Sequence, residues 1–136
     1  MPPPQSKDQA SFRPSDIEAV HGRDIVCFQT AKRDSFAQPI DAHHILGRGN
    51  PRDPSDRIIH GSIFNLAWLR RDVHTGPLRD APDQAAVYLR VAMQHVMNAV
   101  GRGSYQLRDE DLAFSRKANE WLEENGSSLR YPELML

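Results

Sequence analysis

At 136 residues, with 39% apolar and 26% charged side chains, the chain has room for one domain and a modest core. No apolar run approaches the roughly 18 residues of a membrane span, and the polar, proline-rich start at residues 1–9 lacks the apolar stretch of a secretion signal; a cytoplasmic protein without membrane contact is expected. Formal net charge is −1 and Cys27 is the only cysteine, which excludes a uniformly basic chain, an intrachain disulfide and a cysteine-rich zinc knuckle.

Residues 1–11 (MPPPQSKDQAS) read as a disordered tail. Ser15 then serves as a helix N-cap before DIEAV, with Gly22 closing the helix. Residues 24–30 (DIVCFQT) have the β-branched and aromatic content of a strand. A polar turn at 30–35 leads to a returning strand at 38–45 (QPIDAHHI), which Pro39 confines to an edge or restricts at its start. Residues 46–61, with GRGNPRDPSD, read as a long irregular loop, and such loops are usually functional or disordered.

Residues 62–73 (SIFNLAWLRRDV) set Ile63, Leu66, Leu69 and Val73 at helical spacing, with Gly76-Pro77 as the stop. A longer helix is expected at 82–100, with Pro82 in its first turn, a stripe of Ala85, Leu89, Ala92, Val96 and Val100, and Gly101 and Gly103 ending it. The last helix, about 109–124, opens with acids as the helix dipole favours, and its buried side should hold Leu112, Ala118, Trp121 and Leu122. The expected class is α+β, with one domain over residues 12–136. A ββα unit at about 24–76 is too small to bury a core alone, so an N-terminal short helix and a helical extension at about 81–125 pack on it.

Charge is uneven along this order. Residues 42–79 hold six arginines (Arg48, Arg52, Arg57, Arg70, Arg71, Arg79) against three acids, whereas residues 105–136 hold seven acids against four basic side chains. The positive excess is entirely arginine, whose planar fork matches phosphate; the plain alternative is a set of solvated surface arginines.

The residues that carry chemistry are Asp41-Ala42-His43-His44-Ile45, Asn65-Leu66 and His74. Imidazole serves both halves of phosphodiester hydrolysis. It binds a metal that neutralises a phosphate oxygen and the leaving oxygen, and it takes a proton from water near neutral pH. His43 and His74 would supply two ligands and leave His44 as the base. Neighbours in a regular strand face opposite sides, so His43 and His44 share one site only where the strand ends and twists or bulges. Ile45, just before Leu46-Gly47-Arg48-Gly49, marks such an end.

Over about residues 25–76 the chain resembles the HNH nucleases, also called ββα-metal or His-Me finger nucleases. The resemblance rests on His43-His44-Ile45, the Gly47-Arg48-Gly49 loop, Asn65-Leu66 opening a helix, Leu69, and His74 nine residues after the asparagine. It implies a metal-dependent endonuclease that hydrolyses DNA, nicking or cutting both strands and leaving 5′-phosphate and 3′-hydroxyl ends. His44 would be the general base, His43 and His74 would hold one divalent ion, and Asn65 would bond loop backbone to keep His44 oriented. A phage origin is typical of such short members. Many members also carry two Cys-x-x-Cys pairs. Here Cys27 and Thr30 stand at the first and Arg70 and Val73 at the second, so that structural zinc must be absent. The C-terminal helices, through Leu89, Phe114 and Trp121, would then supply the stability.

Asp41 shares the face of His43 in an extended strand, where it would touch the metal, orient His43, or simply be a solvated carboxylate. Arg48, Arg70 and Arg71 are candidates for phosphate binding, with a surface role as the alternative. Trp68 and Cys27 read as packed residues, and His21, His60 and His95 as ordinary ones. Two imidazoles suit zinc, nickel or manganese, whereas magnesium would complete its shell with waters and phosphate oxygens. Neutral imidazole ligands make metal affinity and activity fall together below about pH 6. Cutting both strands would call for a homodimer or sequential nicks. The rival readings are a non-catalytic nucleic-acid-binding or phage-assembly module, a ribonuclease or toxin, and a helical partner-binding protein with a structural metal.

Overall fold

Residues 9–76 and 81–136 are described by the computed structural model. In chain order they form helix α1 (Pro14–His21), strand β1 (Ile40–His44), helix α2 (Pro54–His60), a 3-10 turn (Ile63–Asn65), strand β2 (Leu66–Arg70), the one-turn helix α3 (Arg71–His74), and two long helices, α4 (Pro82–Gly101) and α5 (Asp109–Glu124). The chain is therefore α+β, with a small antiparallel two-stranded sheet. Its register pairs Ile40 with Arg70, Asp41 with Leu69, Ala42 with Trp68, His43 with Ala67 and His44 with Leu66. Among the described residues no helix is long and apolar enough to cross a membrane.

The two long helices follow their sequence pattern. α4 starts with Pro82, whose fixed φ and missing N–H suit a first turn, and it buries Ala85, Tyr88, Leu89, Ala92, Val96 and Ala99. It packs on α1, the 3-10 turn and β2. The expected stripe differs at one end, where Val100 is half-buried and Ala99 takes the inner position. α5 buries Asp111, Phe114, Ser115, Ala118 and Leu122, while the expected Leu112 and Trp121 are half-buried. Asp111 faces inward because its carboxylate accepts from Ser62 Oγ at 2.6 Å, Tyr105 Oη at 2.5 Å and the Arg108 N–H at 2.9 Å. Burial raises its pKa, and those donors partly offset the rise.

Four sequence expectations are corrected. Residues 24–30 form no strand. One isolated bridge joins Val26 to Arg33, Cys27 O accepts the Ala31 N–H at 3.0 Å, and Ala31 adopts φ 56°, so the ladder stops as it starts. The expected loop at 46–61 contains α2, because Asp53 caps the N–H groups of Ser55 and Asp56 and Pro54 opens the helix. The expected helix at 62–73 is the 3-10 turn, β2 and α3. Leu66 to Leu69 are each 6% exposed or less, and a short run buried on both faces carries no period that separates strand from helix. Asn65-Leu66 therefore leads into β2, and His74 closes α3.

The fourth is the end of the expected tail, at residues 9–11. Residues 1–8 lie outside the described residues, but Ala10 is wholly buried. A Cβ on Gly61 would come within 2.9 Å of Gln9 O, so this segment lies directly on the end of α2. α1 also starts earlier than Ser15 implies, with Arg13 as N-cap and Pro14 in the first turn. The Gly76-Pro77 stop is described only at Gly76, and Arg79 lies outside the described residues.

Candidate functional site

The register of β1 sets Asp41 and His43 on one face, opposite Leu69 and Ala67. The Arg71 N–H donates to Pro39 O at 3.1 Å, which ties the start of α3 to the entry of β1. One helical turn then carries His74 over Asp41 and His43. The His43 and His74 ring centroids are 5.2 Å apart at 66°, and buried His43 also meets Tyr88 of α4 edge-on at 6.4 Å.

His74 Nδ1 lies 3.3 Å from Asp41 Oδ2. Arg71 grips the same carboxylate through Nη2 at 3.1 Å and Nε at 3.3 Å. Arg71 first, and His74 after it, hold the Asp41 carboxyl below the usual carboxylate range. An ionised carboxylate only accepts, so His74 carries its proton on Nδ1 and its lone pair on Nε2. Two imidazoles binding one ion at about 2.0–2.1 Å with tetrahedral angles have ring centres roughly 5 Å apart. The observed spacing fits that geometry, although rings that merely pack also lie at about 4.5–7 Å. The carboxylate behind His74 is the more specific feature, because metal-binding histidines are usually oriented in this way. Asp41 thus orients His74, not His43 as its position in the sequence implied.

His44 ends β1 still in register with Leu66, without the bulge that would turn it toward His43. Its ring stacks on Phe12 at 4.2 Å and 16°, and Nε2 lies 2.5 Å from Ala10 O. A carbonyl only accepts, so Nε2 bears a proton. The structure brings together His43, His74 and Asp41, and it holds His44 by contacts on the other side of the strand.

Wholly buried Asn65 fastens the chain just beyond His44. Its Oδ1 accepts the Leu46 N–H at 2.8 Å, its Nδ2 donates to Gly47 O at 3.0 Å and His60 O at 2.8 Å, and its own carbonyl accepts the Ile45 N–H at 2.9 Å. A second anchor was invisible in the sequence. His60, buried, donates from Nδ1 to Gly47 O at 2.9 Å and accepts on Nε2 from Lys117 Nζ at 2.8 Å. Lys117 also pairs with Asp56, and Asp56 accepts the Asn50 N–H at 2.7 Å. Gly49, at φ 80°, has no room for a side chain, since a Cβ would lie 2.9 Å from Asp56 Oδ2. The loop carrying exposed Arg48 is thereby clamped onto α2 and α5.

Arg70 bonds Asp72 through Nε at 3.0 Å, and Arg71 bonds Asp41, so each offers phosphate a cation already shared with an acid. Beneath them, burial pushes the Cys27 thiol up. Hydrogen bonds from the Thr30 side chain and from the backbone of Gln29, Arg70 and Thr30 outweigh it and leave the thiol below its usual range. Among the described residues no group of three or more His, Cys, Asp or Glu side chains forms a set that would hold a metal. Compared with known families, curated proteins and solved structures, the chain finds no match in any of the three.

Proposed function

We propose that the chain is a metal-dependent endonuclease of the HNH, or ββα-metal, type that hydrolyses DNA phosphodiester bonds. His44 is the general base, and one divalent ion sits on His43 and His74. The observation that carries this reading is the His43–His74 pair with Asp41 behind the second ring.

Two further features support it. Strands 40–44 and 66–70, with Asn65 at the entry to the second and α3 after it, follow the order this reading expects, with α2 and the 3-10 turn between the strands. Cys27, Thr30 and the backbone of Arg70, at three of the four positions where relatives of this type carry zinc cysteines, meet through hydrogen bonds.

The donor set fits an open metal site. Two imidazoles leave several coordination positions for water and phosphate oxygens, which zinc, nickel, manganese or magnesium would accept. A divalent ion bound there supplies neutralisation of the phosphate and of the departing 3′ oxygen. His44 takes the proton of the attacking water on Nδ1, while Ala10 O fixes its tautomer and Phe12 fixes the plane of its ring. Asn65 keeps the backbone beyond His44 from shifting. Because His43 and His44 face opposite sides of β1 without a bulge, a phosphate served by both would have to lie along the outer edge of β1, which pairs with no described strand. Arg48 contacts the phosphate backbone from its clamped loop. A homodimer would allow both strands to be cut.

The test is nicking of supercoiled plasmid with magnesium, manganese, zinc or nickel, with EDTA and His44→Ala as controls. The wild type should nick, EDTA should stop it, and His44→Ala should be about 100- to 10,000-fold slower. Equal nicking by the two proteins would overturn the assignment. Faster cleavage of structured RNA at matched salt would make the substrate RNA.

A further inference from the structure

We infer that Phe36 and the turn that carries it form a base-stacking contact for DNA beside the candidate site, an inference that rests on the nuclease reading above. Phe36 is 107% exposed, whereas Phe64 and Phe114 are buried and Phe12 and Phe28 half-buried. The turn holds this ring outward. The Ser35 N–H donates to Gln38 O at 3.3 Å and the Gln38 N–H to Ser35 Oγ at 3.1 Å, leaving Phe36 and Ala37 at the apex. Below the apex, the Asp34 N–H bonds Ile25 O at 3.0 Å and Asp34 Oδ1 accepts the Ile40 N–H at 2.8 Å. The base of the turn is thus pinned to the entry of β1.

What surrounds the ring points to a nucleic acid. Lys32 and Arg33 are exposed on the same loop, and Asp34 is engaged by the Ile40 N–H. A hollow beside the turn is lined by Ala37, Gln38, Pro39, Arg70, Arg71 and Asp72. Pro39 O accepts the Arg71 N–H, so three residues of chain separate Phe36 from the backbone that positions Asp41 and His74. That is at most about 11 Å of chain from Phe36 to Pro39. Among the described residues the other large exposed apolar side chains are Ile58, Val87, Met135 and Leu136, none of them on this loop. An exposed aromatic ring beside Lys32 and Arg33 suits single-stranded or locally unstacked DNA, which is held through base stacking and backbone charge together.

The experiment measures binding of a labelled single-stranded oligonucleotide by fluorescence anisotropy, in EDTA to prevent cutting, across a salt series. Because the ring is exposed, Phe36→Ala should leave the melting temperature unchanged. It should weaken binding by about 5- to 150-fold, with the slope of log affinity against log salt unaltered because no charge is lost. Phe36→Trp should keep the affinity, and DNA should quench its added indole fluorescence. Wild-type affinity in Phe36→Ala, in a protein that still nicks plasmid, overturns this inference alone. A wild-type dimer that Phe36→Ala splits into monomers also overturns it, by making the ring a protein contact. A wild type that neither binds nor nicks DNA overturns the nuclease reading along with it.

Discussion

Two pairs of histidines in this molecule have almost the same spacing and opposite surroundings. His43 and His74 stand 5.2 Å apart with the Asp41 carboxylate behind them, whereas His21 and His95 stand 5.1 Å apart beside Arg102. The second pair packs among Phe28 and Trp68, and burial, His95 and Arg102 lower the pKa of His21 to about 3. Partial desolvation against its neighbours and Arg102 lower that of exposed His95 as well. Arg102 opposes a proton, and equally a metal ion, at His21 and His95, whereas a carboxylate stands against His74. Ring spacing alone therefore does not identify a cation site; the charge behind the rings does.

The largest expected effect comes from removing a ring of the first pair. His43→Ala or His74→Ala should reduce plasmid nicking to background, while His95→Ala should nick as the wild type does. Next is the carboxylate behind that pair. Asp41→Asn keeps the shape but loses the charge, and affinity for manganese, followed by calorimetry, should fall about 10- to 100-fold. If affinity is unchanged, Asp41 serves Arg71 alone.

The second pair contributes to the pH dependence of stability. The folded pKa of His21, about 3, lies below the ordinary value of 6.5, so the unfolded chain binds the proton more readily. Its contribution to stability is complete above about pH 6.5 and is lost progressively as pH falls toward 3. Urea melts at pH 7, 5 and 4 should show this loss, and His21→Phe should make the profile flatter. The smallest effect should be that of Arg48→Gln, which lowers the salt slope of DNA binding by about 1 and weakens affinity evenly across sequences.

How far the sequence was legible follows from element length and from distance along the chain. α4 and α5 run for 20 and 16 residues, long enough for the helical period to emerge. β2 has five residues, four of them apolar and buried on both faces, so it had no period of its own. α2 did carry a signal, the Asp53-Pro54 start, hidden inside a stretch read as loop. The spacing in the sequence paired His43 with His74, whose rings lie 5.2 Å apart, and set Asn65 against the loop backbone that it bonds. The partner of Asp41 was not legible, since it depends on α3 turning back over β1. Lys117 lies 57 residues from His60, and only the packing of α5 on α2 brings them together.

The most direct test of the account is a zinc or manganese titration of the wild type, His74→Ala and His95→Ala, followed by calorimetry. One ion should bind the wild type and His95→Ala with equal affinity and should fail to bind His74→Ala. Loss of binding in His95→Ala with retention in His74→Ala, or no binding by the wild type, would contradict it.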